Sequence, residues 1–341
     1  MSKPTLLLTG ATGVLGRAFI DELADDHHLV CLRHRTPVDD PRIEELPGTL
    51  GDEHLGLGAD GLRHLAGRID GVLHSAAHTG WKATRDELFH ANVTGTEHLL
   101  GLVRRADVPF TFVSTAFVAR PQGDEHKEVG PAAYVDSKAA AEQLVRDSGV
   151  PAVIVRPSVV CGHSETGYIA AFQGLHRVIG GVAMGIIPVL PAGPEAPIDT
   201  VPSDVAARAV GRLIRRGTTT GEFWLTAGRQ SLTLFECVEQ AMLAAERAGF
   251  PPEHPPRLMP TEALDRLLLP LLEDTLPRSV RHNFRVFAEL MMLFQVSAKM
   301  ESSFGELGMA EEVTHAKLKD AFGKCSDYWV REKMTARKAA A

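Results

Sequence analysis

The sequence predicts an α/β fold with a doubly wound parallel sheet, and three observations support this. Short apolar runs alternate with helix-like segments along the first half of the 341-residue chain. The runs are apolar over their whole length, as expected of parallel strands that are buried on both faces. At roughly 150 residues per domain, the chain also has room for such a sheet and a second, smaller lobe.

The predicted elements of the first half follow in the order strand, helix, strand, strand, helix, strand, helix, strand. Their bounds are Thr5–Thr9, Val14–Leu23, Leu29–Leu32, Gly71–His74, Thr84–Arg105, Phe110–Ser114, Ala132–Arg146 and Ala152–Arg156. Strands separated by helices indicate β–α–β units, whose crossovers are right-handed. We therefore expect these elements to form one doubly wound sheet.

The pattern changes after Pro157, where the chain becomes rich in glycine and proline. Phe223–Thr226 is predicted to add one more strand, and a mostly helical pattern begins near Ser231. We assign 1–165 plus 200–228 to a nucleotide-binding domain, and 166–199 plus 229–341 to a smaller, mostly helical substrate lobe. Two apolar segments of this lobe favour core packing, with an acyl-chain pocket or docking on a membrane surface as the alternatives. They are Leu264–Leu272 and Phe284–Phe294.

Composition excludes some partners and compartments. Lys and Arg number 36 and Asp and Glu 43, a net charge of -7, which disfavours nucleic acid because phosphate binding needs concentrated basic residues. The four cysteines form no C-x-x-C motif, which fits a reducing compartment. The sequence has no signal-peptide pattern and no apolar stretch of about 18 residues that would span a membrane. We expect a cytoplasmic monomer or homodimer.

A glycine-rich segment, TGATGVLG at residues 9–16, follows the first strand and opens the first helix. Gly10 permits a tight turn, Gly13 lets backbone N–H groups approach a pyrophosphate, and Gly16 lets helix and strand pack closely. At this strand-to-helix junction the spacing predicts a Rossmann-type dinucleotide site. The expected cofactor-binding residues of the segment are Thr9, Gly10, Thr12, Gly13, Val14, Leu15 and Gly16.

The end of the second predicted strand bears on which dinucleotide is bound. NAD-binding domains usually place an acid about 20 residues after the glycines, but here LRHRT is followed by no acid until Asp39. Arg33 and Arg35 suit a 2′-phosphate, because guanidinium groups pair well with phosphate oxygens. NADP(H) is therefore favoured over NAD(H), the alternative being that both arginines are solvated loop residues.

A Tyr-x-x-x-Lys motif lies within a predicted helix, in YVDSK at residues 134–138. The i, i+4 spacing places Tyr134 and Lys138 on one face of the helix. A nearby ammonium is expected to lower the pKa of the tyrosine, which could then exchange a proton with a carbonyl or hydroxyl oxygen. Thr115 follows the preceding strand, and its hydroxyl could bind the substrate oxygen beside Tyr134.

Six motifs together resemble the extended short-chain dehydrogenase/reductase family. They are TGATGVLG, HSAA at 74–77, NVTGT at 92–96, VSTAFV at 113–118, YVDSK and VRPSVVCG at 155–162. The resemblance implies that Thr115, Tyr134 and Lys138 form a catalytic triad, and that Asn92 supports a water relay to Lys138. The further cofactor-binding residues are Asp52, which the resemblance places near the adenine, together with Ala76, Pro157, Tyr134 and Lys138, whose ammonium could hold the nicotinamide ribose hydroxyls.

Within that family, three segments are most similar to the thioester reductase and fatty acyl reductase (male-sterility-like) branch. They are STAFV at 114–118, RPSVVCGHSETG at 156–167 and IDTVPSDVAARA at 198–209. This branch implies hydride transfer to a carrier-bound or CoA-bound thioester in natural product biosynthesis, with release of an aldehyde or sometimes an alcohol. Residues 240–341 match no motif, so the resemblance supports the chemistry more than the substrate.

Three functional hypotheses remain open from the sequence. The first is an NADP(H)-dependent reductase of an acyl thioester or aldehyde. The second is a hydroxyl or ketone oxidoreductase acting on a steroid-like, polyketide or sugar-nucleotide substrate. The third is a non-catalytic NADP sensor, which the complete Thr115, Tyr134 and Lys138 set disfavours because sensing does not require it.

Other candidate groups have simpler interpretations. His74 and His78 lie outside a predicted helix and lack accompanying Cys or His ligands, so no metal site is expected. The family resemblance implies that Asp199 and Asp204 are structural. A run of arginines along one helix is expected to be a solvated face, with docking of an acidic carrier protein as the alternative. It comprises Arg208, Arg212, Arg215 and Arg216.

Overall fold

The structure is a computed structural model and describes residues 3–80, 82–119, 131–172, 174–259 and 300–340, with side chains as far as residue 333. The described residues divide into two compact units. The first is drawn from Met1–Ser158, Ala206–Leu225 and Ser303–Gly308, and the second from Val159–Val205, Thr226–Ser302 and Met309–Ala341. These bounds differ from the sequence-based division, and the cofactor and substrate roles of its two parts stay predictions.

A seven-stranded parallel sheet forms the centre of the first unit. Its strands are β1 Thr5–Thr9, β2 His28–Arg33, β3 Ile43–Pro47, β4 Gly71–His74, β5 Phe110–Val113, β6 Ala152–Pro157 and β11 Gly221–Leu225. They lie in the order β11-β6-β5-β4-β1-β2-β3, and each neighbouring pair is parallel. Strands β2 and β3 are added on one side of β1, and strands β4, β5, β6 and β11 on the other. The order of the strands therefore switches between β1 and β4, which is where a doubly wound sheet binds its ligand. The predicted fold class is confirmed.

The helices of the first unit pack apolar side chains against this sheet. They are α1 Val14–Leu23, α2 Gly58–Ala66, α3 Arg85–Phe89, α4 Gly95–Ala106, α5 Pro131–Asp147 and, from Ala206 onward, α7 Ser203–Arg215. Leu65 of α2 and Leu99 of α4 join Val30 and Phe112 of the strands in one buried cluster. Each such side chain contributes roughly 1.5–3 kcal/mol on burial, so this cluster fixes the position of the strand ends.

Three details differ from the sequence-based elements, the first being helix α2, Gly58–Ala66, which was not predicted. The single helix expected over Thr84–Arg105 is divided into α3 and α4 by a π-helical turn, His90–Thr94. Strand β3 was not predicted, because its sequence, IEELP, is largely polar. It lies at the edge of the sheet with its side chains only part-buried, so it lacks the apolar pattern of the central strands.

The second unit contains three small strand pairs and three described helices. The strands are β7 Val159–Cys161 with β10 Thr200–Pro202, β9 Pro197–Ile198 with β12 Leu232–Thr233, and β8 Val189–Pro191 with β13 Arg257–Met259. The helices are α6 Gly174–Ala183, α8 Leu234–Arg247 and α9 His315–Ala340. Ala183, Ala244 and Trp329 form part of its core, and the mostly helical C-terminal region is confirmed.

The apolar segments Leu264–Leu272 and Phe284–Phe294 lie outside the described residues, so their core or pocket roles remain predictions. Within the described ranges, no helix combines the length and apolar character needed to cross a membrane.

Candidate active site

The turn between β1 and α1 requires glycine at two of its three glycine positions. Gly10 has a φ of +76°, and a Cβ there would lie 2.6 Å from the backbone nitrogen of Ala76. A Cβ on Gly16 would lie 2.0 Å from the carbonyl oxygen of Gly10. Gly13 is the N-cap of α1 and supplies no side-chain cap, so the first N–H groups of the helix are not capped by a side chain.

This turn borders a cavity of about 280 Å³ at the carboxyl ends of β1 and β2. The lining includes Gly10, Thr12, Arg33, Arg35 and Ala76. The close backbone at Gly10, the uncapped N-terminus of α1 and the two arginines fit the phosphate and adenosine parts of a dinucleotide.

Not every predicted cofactor-binding residue lines this cavity. Thr9 does, whereas Gly13, Val14, Leu15, Gly16, Asp52 and Pro157 are absent from its lining. The carboxylate of Asp52 instead accepts backbone hydrogen bonds from His54 (2.8 Å) and Gly56 (3.3 Å), and these lower its pKa. Asp52 therefore stabilises its own turn in this structure.

The two arginines of the cavity differ in their surroundings. Arg33 forms an ion pair from Nε to the Oε2 atom of Glu45 on β3, at 3.0 Å, and its side chain is 27% exposed. Arg35 is exposed. Both are available at the cavity wall, but only Arg33 is held there by an ion pair between described residues.

A buried chain of hydrogen bonds runs beneath the turn and fixes the protonation of His74. The Thr96 hydroxyl donates to the carbonyl of Asn92 at 2.6 Å, so it accepts from Nε2–H of His74 at 3.0 Å. Nδ1 of His74 then accepts from the Thr9 hydroxyl at 2.7 Å, which itself accepts from the backbone of Ala76 at 3.2 Å. Burial, with the positive charge of Lys138, lowers the pKa of His74 to about 3. His74 is thus a neutral structural link.

Thr115, Tyr134 and Lys138 lie together beyond the carboxyl end of β5. Thr115 is buried, and its side chain hydrogen-bonds that of Tyr134. Burial raises the pKa of Tyr134 to about 12, and the hydrogen bond with Thr115 only partly opposes this. Tyr134 therefore keeps its proton at neutral pH.

Lys138 is buried, and it contacts the end of β5. Its Nζ donates to the carbonyl of Val113 at 2.9 Å and lies 4.2 Å from the ring centroid of Phe112. Burial lowers the pKa of Lys138 to about 7, while the charge of Glu142 acts the other way. The pKa of Tyr134 is therefore raised and not lowered as expected, because burial outweighs the effects that favour the phenolate.

Asn92 lies in the π-helical turn and uses its whole amide group in contacts with the protein. Its Oδ1 accepts from the backbone N–H of His78 at 2.7 Å, and its Nδ2 donates to the carbonyl of His78 at 3.1 Å and to Oγ of Ser137 at 2.9 Å. The Ser137 hydroxyl donates in turn to the carbonyl of Tyr134 at 2.7 Å. Asn92 therefore ties the segment after β4 to the turn of α5 that bears Tyr134 and Lys138.

The sequence reasoning missed a buried ion-pair network next to Lys138. Glu142 accepts from Nε of Arg156 at 2.9 Å and from its Nη2 at 2.7 Å, and both side chains are nearly fully buried. Arg146 and the partly exposed Glu222 extend the network. Glu142 follows Lys138 by four residues, so the same i, i+4 spacing that predicted the Tyr–Lys face could have found it.

The remaining candidates have structural contacts. Asp199 accepts backbone hydrogen bonds from Ala227 (2.7 Å) and Gly228 (2.9 Å), and Asp204 accepts from the backbone and hydroxyl of Ser164 (both 2.7 Å). The part of the chain that the structure describes has no group of three potential metal ligands.

The arginine run on α7 is not a freely solvated face. Arg212 donates to the backbone carbonyls of Leu307 (2.6 Å) and Gly308 (3.0 Å). Arg215 pairs with Glu22 and, at 2.5 Å, with Asp26. These intramolecular contacts weaken the alternative that the run docks an acidic carrier protein.

Comparison with known families identifies the family of this chain. The family model described as "Male sterility protein" matches residues 32–210, just over half of the chain. The chain belongs to the male sterility protein family. The predicted resemblance is thereby confirmed, and this male sterility family chain is an NAD(P)-dependent oxidoreductase of the extended short-chain type, similar to thioester reductases.

Two curated proteins illustrate the relatives of this male sterility family chain. The glycine betaine reductase of Emericella nidulans is 31% identical over 217 residues, which are 51% of this chain and 17% of that protein. A polyketide synthase-nonribosomal peptide synthetase of Pyricularia oryzae is 33% identical over 186 residues, 46% of this chain and 5% of that protein. The chain thus spans less than a fifth of the length of either relative.

Among solved structures, the chain is similar to the terminal R domain from the myxalamid PKS-NRPS biosynthetic pathway. The two share 25% sequence identity and a TM-score of 0.71, and the match covers 95% of this chain and 91% of that one. The male sterility family chain therefore has the fold of a reductase domain over nearly its whole length.

Proposed function

We propose that this chain is an NADPH-dependent reductase that transfers hydride to the carbonyl carbon of an acyl thioester held on a carrier protein or CoA, or to an aldehyde. The observation that carries the proposal is the hydrogen bond between the side chains of Tyr134 and Thr115 beyond the carboxyl end of β5, in the same unit as the turn between β1 and α1. The names of the relatives, a glycine betaine reductase and a polyketide synthase-nonribosomal peptide synthetase, support this reaction class.

The cofactor role is assigned to the cavity residues. NADPH, when bound, supplies the hydride. The turn at Gly10, the N-terminus of α1 and the lining residues Thr9, Thr12 and Ala76 would surround its phosphates and ribose, and Arg33 with Arg35 would favour a 2′-phosphate. Arg33 has the stronger case because it is held at the cavity wall by Glu45.

Tyr134 is assigned the role of proton donor. When hydride reaches a carbonyl carbon, negative charge develops on the carbonyl oxygen and must receive a hydrogen bond or a proton. A tyrosine whose pKa is raised to about 12 still carries its proton at neutral pH and can donate it to that more basic oxygen. Thr115 would donate a second hydrogen bond.

Lys138 and Asn92 are assigned supporting roles. The buried ammonium of Lys138 lies one helical turn from Tyr134 and would stabilise the phenolate that remains after proton transfer. Asn92 would hold α5 in place through Ser137, so the water relay implied by the resemblance would not use its amide hydrogens.

With a thioester, the products follow from the bonds that change. Hydride adds to the carbonyl carbon, the carbon–sulfur bond of the tetrahedral species breaks, and the thiolate leaves as the aldehyde carbonyl forms again. A second hydride to the aldehyde, from a second NADPH bound after NADP⁺ leaves, and a proton from Tyr134 would complete the alcohol. We also propose that the protein is cytoplasmic and is a monomer or a homodimer.

The test is NADPH consumption with a panel of acyl-CoA thioesters, aldehydes and ketones, with free thiol measured in parallel. We expect one thiol for the first NADPH consumed with a thioester, and loss of turnover in Tyr134→Phe. Reduction of ketones without thiol release would favour the hydroxyl/ketone oxidoreductase instead. Tight NADPH binding with no turnover on any of the three classes would favour the sensor.

A further inference from the structure

Glu45, on the edge strand β3, connects the end of β2 with the loop that follows it. Its Oε2 pairs with Nε of Arg33 at 3.0 Å. Its Oε1 accepts two backbone hydrogen bonds, from Val38 at 2.9 Å and from Asp39 at 3.0 Å. One carboxylate thus fixes both an arginine side chain and the backbone of residues 38 and 39.

The segment held by Glu45 forms one wall of the dinucleotide cavity. Arg33, Arg35 and Val38 all line that cavity. Asp39 has a φ of +52°, in the left-handed region that non-glycine residues seldom adopt and that aspartate tolerates better than most. The two backbone bonds to Glu45 therefore stabilise a loop conformation that is costly by itself.

The ion pair with Glu45 leaves most of the guanidinium of Arg33 available. A guanidinium has five N–H donors, and the Glu45 carboxylate lies against Nε, at 3.0 Å, on one side of the group. Among the described residues, no further hydrogen bond or ion pair of the Arg33 side chain is found. The Nη groups can therefore bind two oxygens of one phosphate, the paired geometry in which arginine recognises phosphate.

We propose that Glu45 is a specificity-determining residue that orients Arg33 and the 34–39 loop to bind the 2′-phosphate of NADPH. The inference rests on the proposed preference for NADPH. Glu45 would thus contribute to phosphate binding indirectly, by orienting the side chain of Arg33. The carboxylate also repels a phosphate, so orientation and repulsion predict opposite results when its charge is removed.

The experiment compares Glu45→Gln with Glu44→Gln by calorimetric titration of the whole chain with adenosine 2′,5′-bisphosphate and with 5′-AMP. Glutamine has the same length and its oxygen can still accept from the backbone of the loop, but it has no negative charge to pair with Arg33. Glu44 is the matched control, because it is adjacent on β3 and pairs instead with Arg68 and, at 3.1 Å, with His28.

We expect Glu45→Gln to lower the affinity ratio of the bisphosphate to 5′-AMP by about tenfold, the equivalent of roughly 1.4 kcal/mol. The affinity for 5′-AMP should be unchanged, which shows that the cavity is intact, and Glu44→Gln should keep the wild-type ratio. In an Arg33→Ala background, Glu45→Gln should cause no further loss.

A higher ratio in Glu45→Gln would overturn the proposal, because it would mean that the carboxylate only opposes phosphate binding. An unchanged ratio would overturn it as well. If Glu45→Gln loses 5′-AMP binding, the Arg33→Lys variant is measured instead, because lysine keeps the positive charge but lacks the two Nη groups of arginine. A wild-type affinity ratio in Arg33→Lys would contradict an oriented guanidinium. A reduced ratio would support it. A wild type without preference for the bisphosphate would refute the NADPH preference itself.

Discussion

The two ends of the site in the first unit use charged side chains in different ways. At the cavity, Arg33 and Glu45 are each about one-quarter exposed and their ion pair holds a loop in shape. Beyond β5, Lys138 and Glu142 are buried, and burial shifts the pKa of Lys138 to about 7. Partly exposed charges can thus hold a loop in shape, whereas buried charges affect the protonation of the groups beside them.

The largest effect is expected from Tyr134→Phe, which removes the proton donor and keeps the packing of the ring. General acid catalysis is worth about 10²–10⁴-fold, so kcat should fall by that factor, toward the lower end for a thioester because thiolate can leave without prior protonation. Steady-state NADPH oxidation with saturating substrate measures this. NADPH affinity should change little, since the cavity residues remain. Retention of more than about a third of kcat would remove Tyr134 from its proposed role.

Glu142→Gln should be the most damaging change to stability at the buried end. Removing one partner of a buried ion pair costs about 3–5 kcal/mol, and here it leaves the buried Arg156 without its main partner. Urea unfolding at neutral pH measures the loss. Glu222→Gln is the matched control, because Glu222 pairs with the same arginines but is 42% exposed, and its loss should be within about 1 kcal/mol.

The pH dependence of the Glu142 effect has a definite sign. Burial alone would raise the pKa of Glu142, but hydrogen bonds from Arg156 hold it below its ordinary value of 4.5. Its stabilising contribution is therefore fully present above pH 4.5 and is lost as the pH falls through the lower pKa of the folded state. The difference between wild type and Glu142→Gln should shrink in acid. A difference that grows below that pH would contradict the assignment.

Arg33→Ala tests the exposed end. Losing a charge-assisted contact should weaken NADPH binding by roughly 1.5–3 kcal/mol and leave NADH binding nearly unchanged. Titration of both cofactors into the wild type and the variant measures this, and added salt should reduce the difference. Equal affinities for the two cofactors in the wild type would mean that Arg33 is a structural residue paired with Glu45.

The smallest effect is an expected gain in stability at a glycine that lies neither at the cavity nor beside Tyr134 and Lys138. Gly101 lies exposed inside α4, and a Cβ there would meet nothing within 4 Å. Gly101→Ala should therefore stabilise the first unit by up to about 1 kcal/mol. Gly16→Ala is the contrasting variant, because its Cβ would overlap the carbonyl of Gly10, so it should weaken both stability and NADPH binding. Thermal unfolding of both variants measures the contrast.

Much of this fold could be predicted from local pattern. The strand Thr5–Thr9 and the helix Val14–Leu23 match their predicted bounds, because central strands are apolar throughout and the glycine turn marks the junction between them. Edge strand β3 and the π-helical turn at Asn92 could not be predicted in this way. The first is part-buried and polar, and the second depends on the amide contacts of Asn92 with distant residues.

The sequence by itself determined the alternation of strands and helices, the glycine turn, and the common helix face of Tyr134 and Lys138, because each follows from residue types at fixed local spacing. Only the tertiary structure decided which partners those groups have. Lys138 donates to Val113, 25 residues away, and Arg33 pairs with Glu45 across two strands. Such partners depend on strand register and burial, which bring together residues that no local spacing relates.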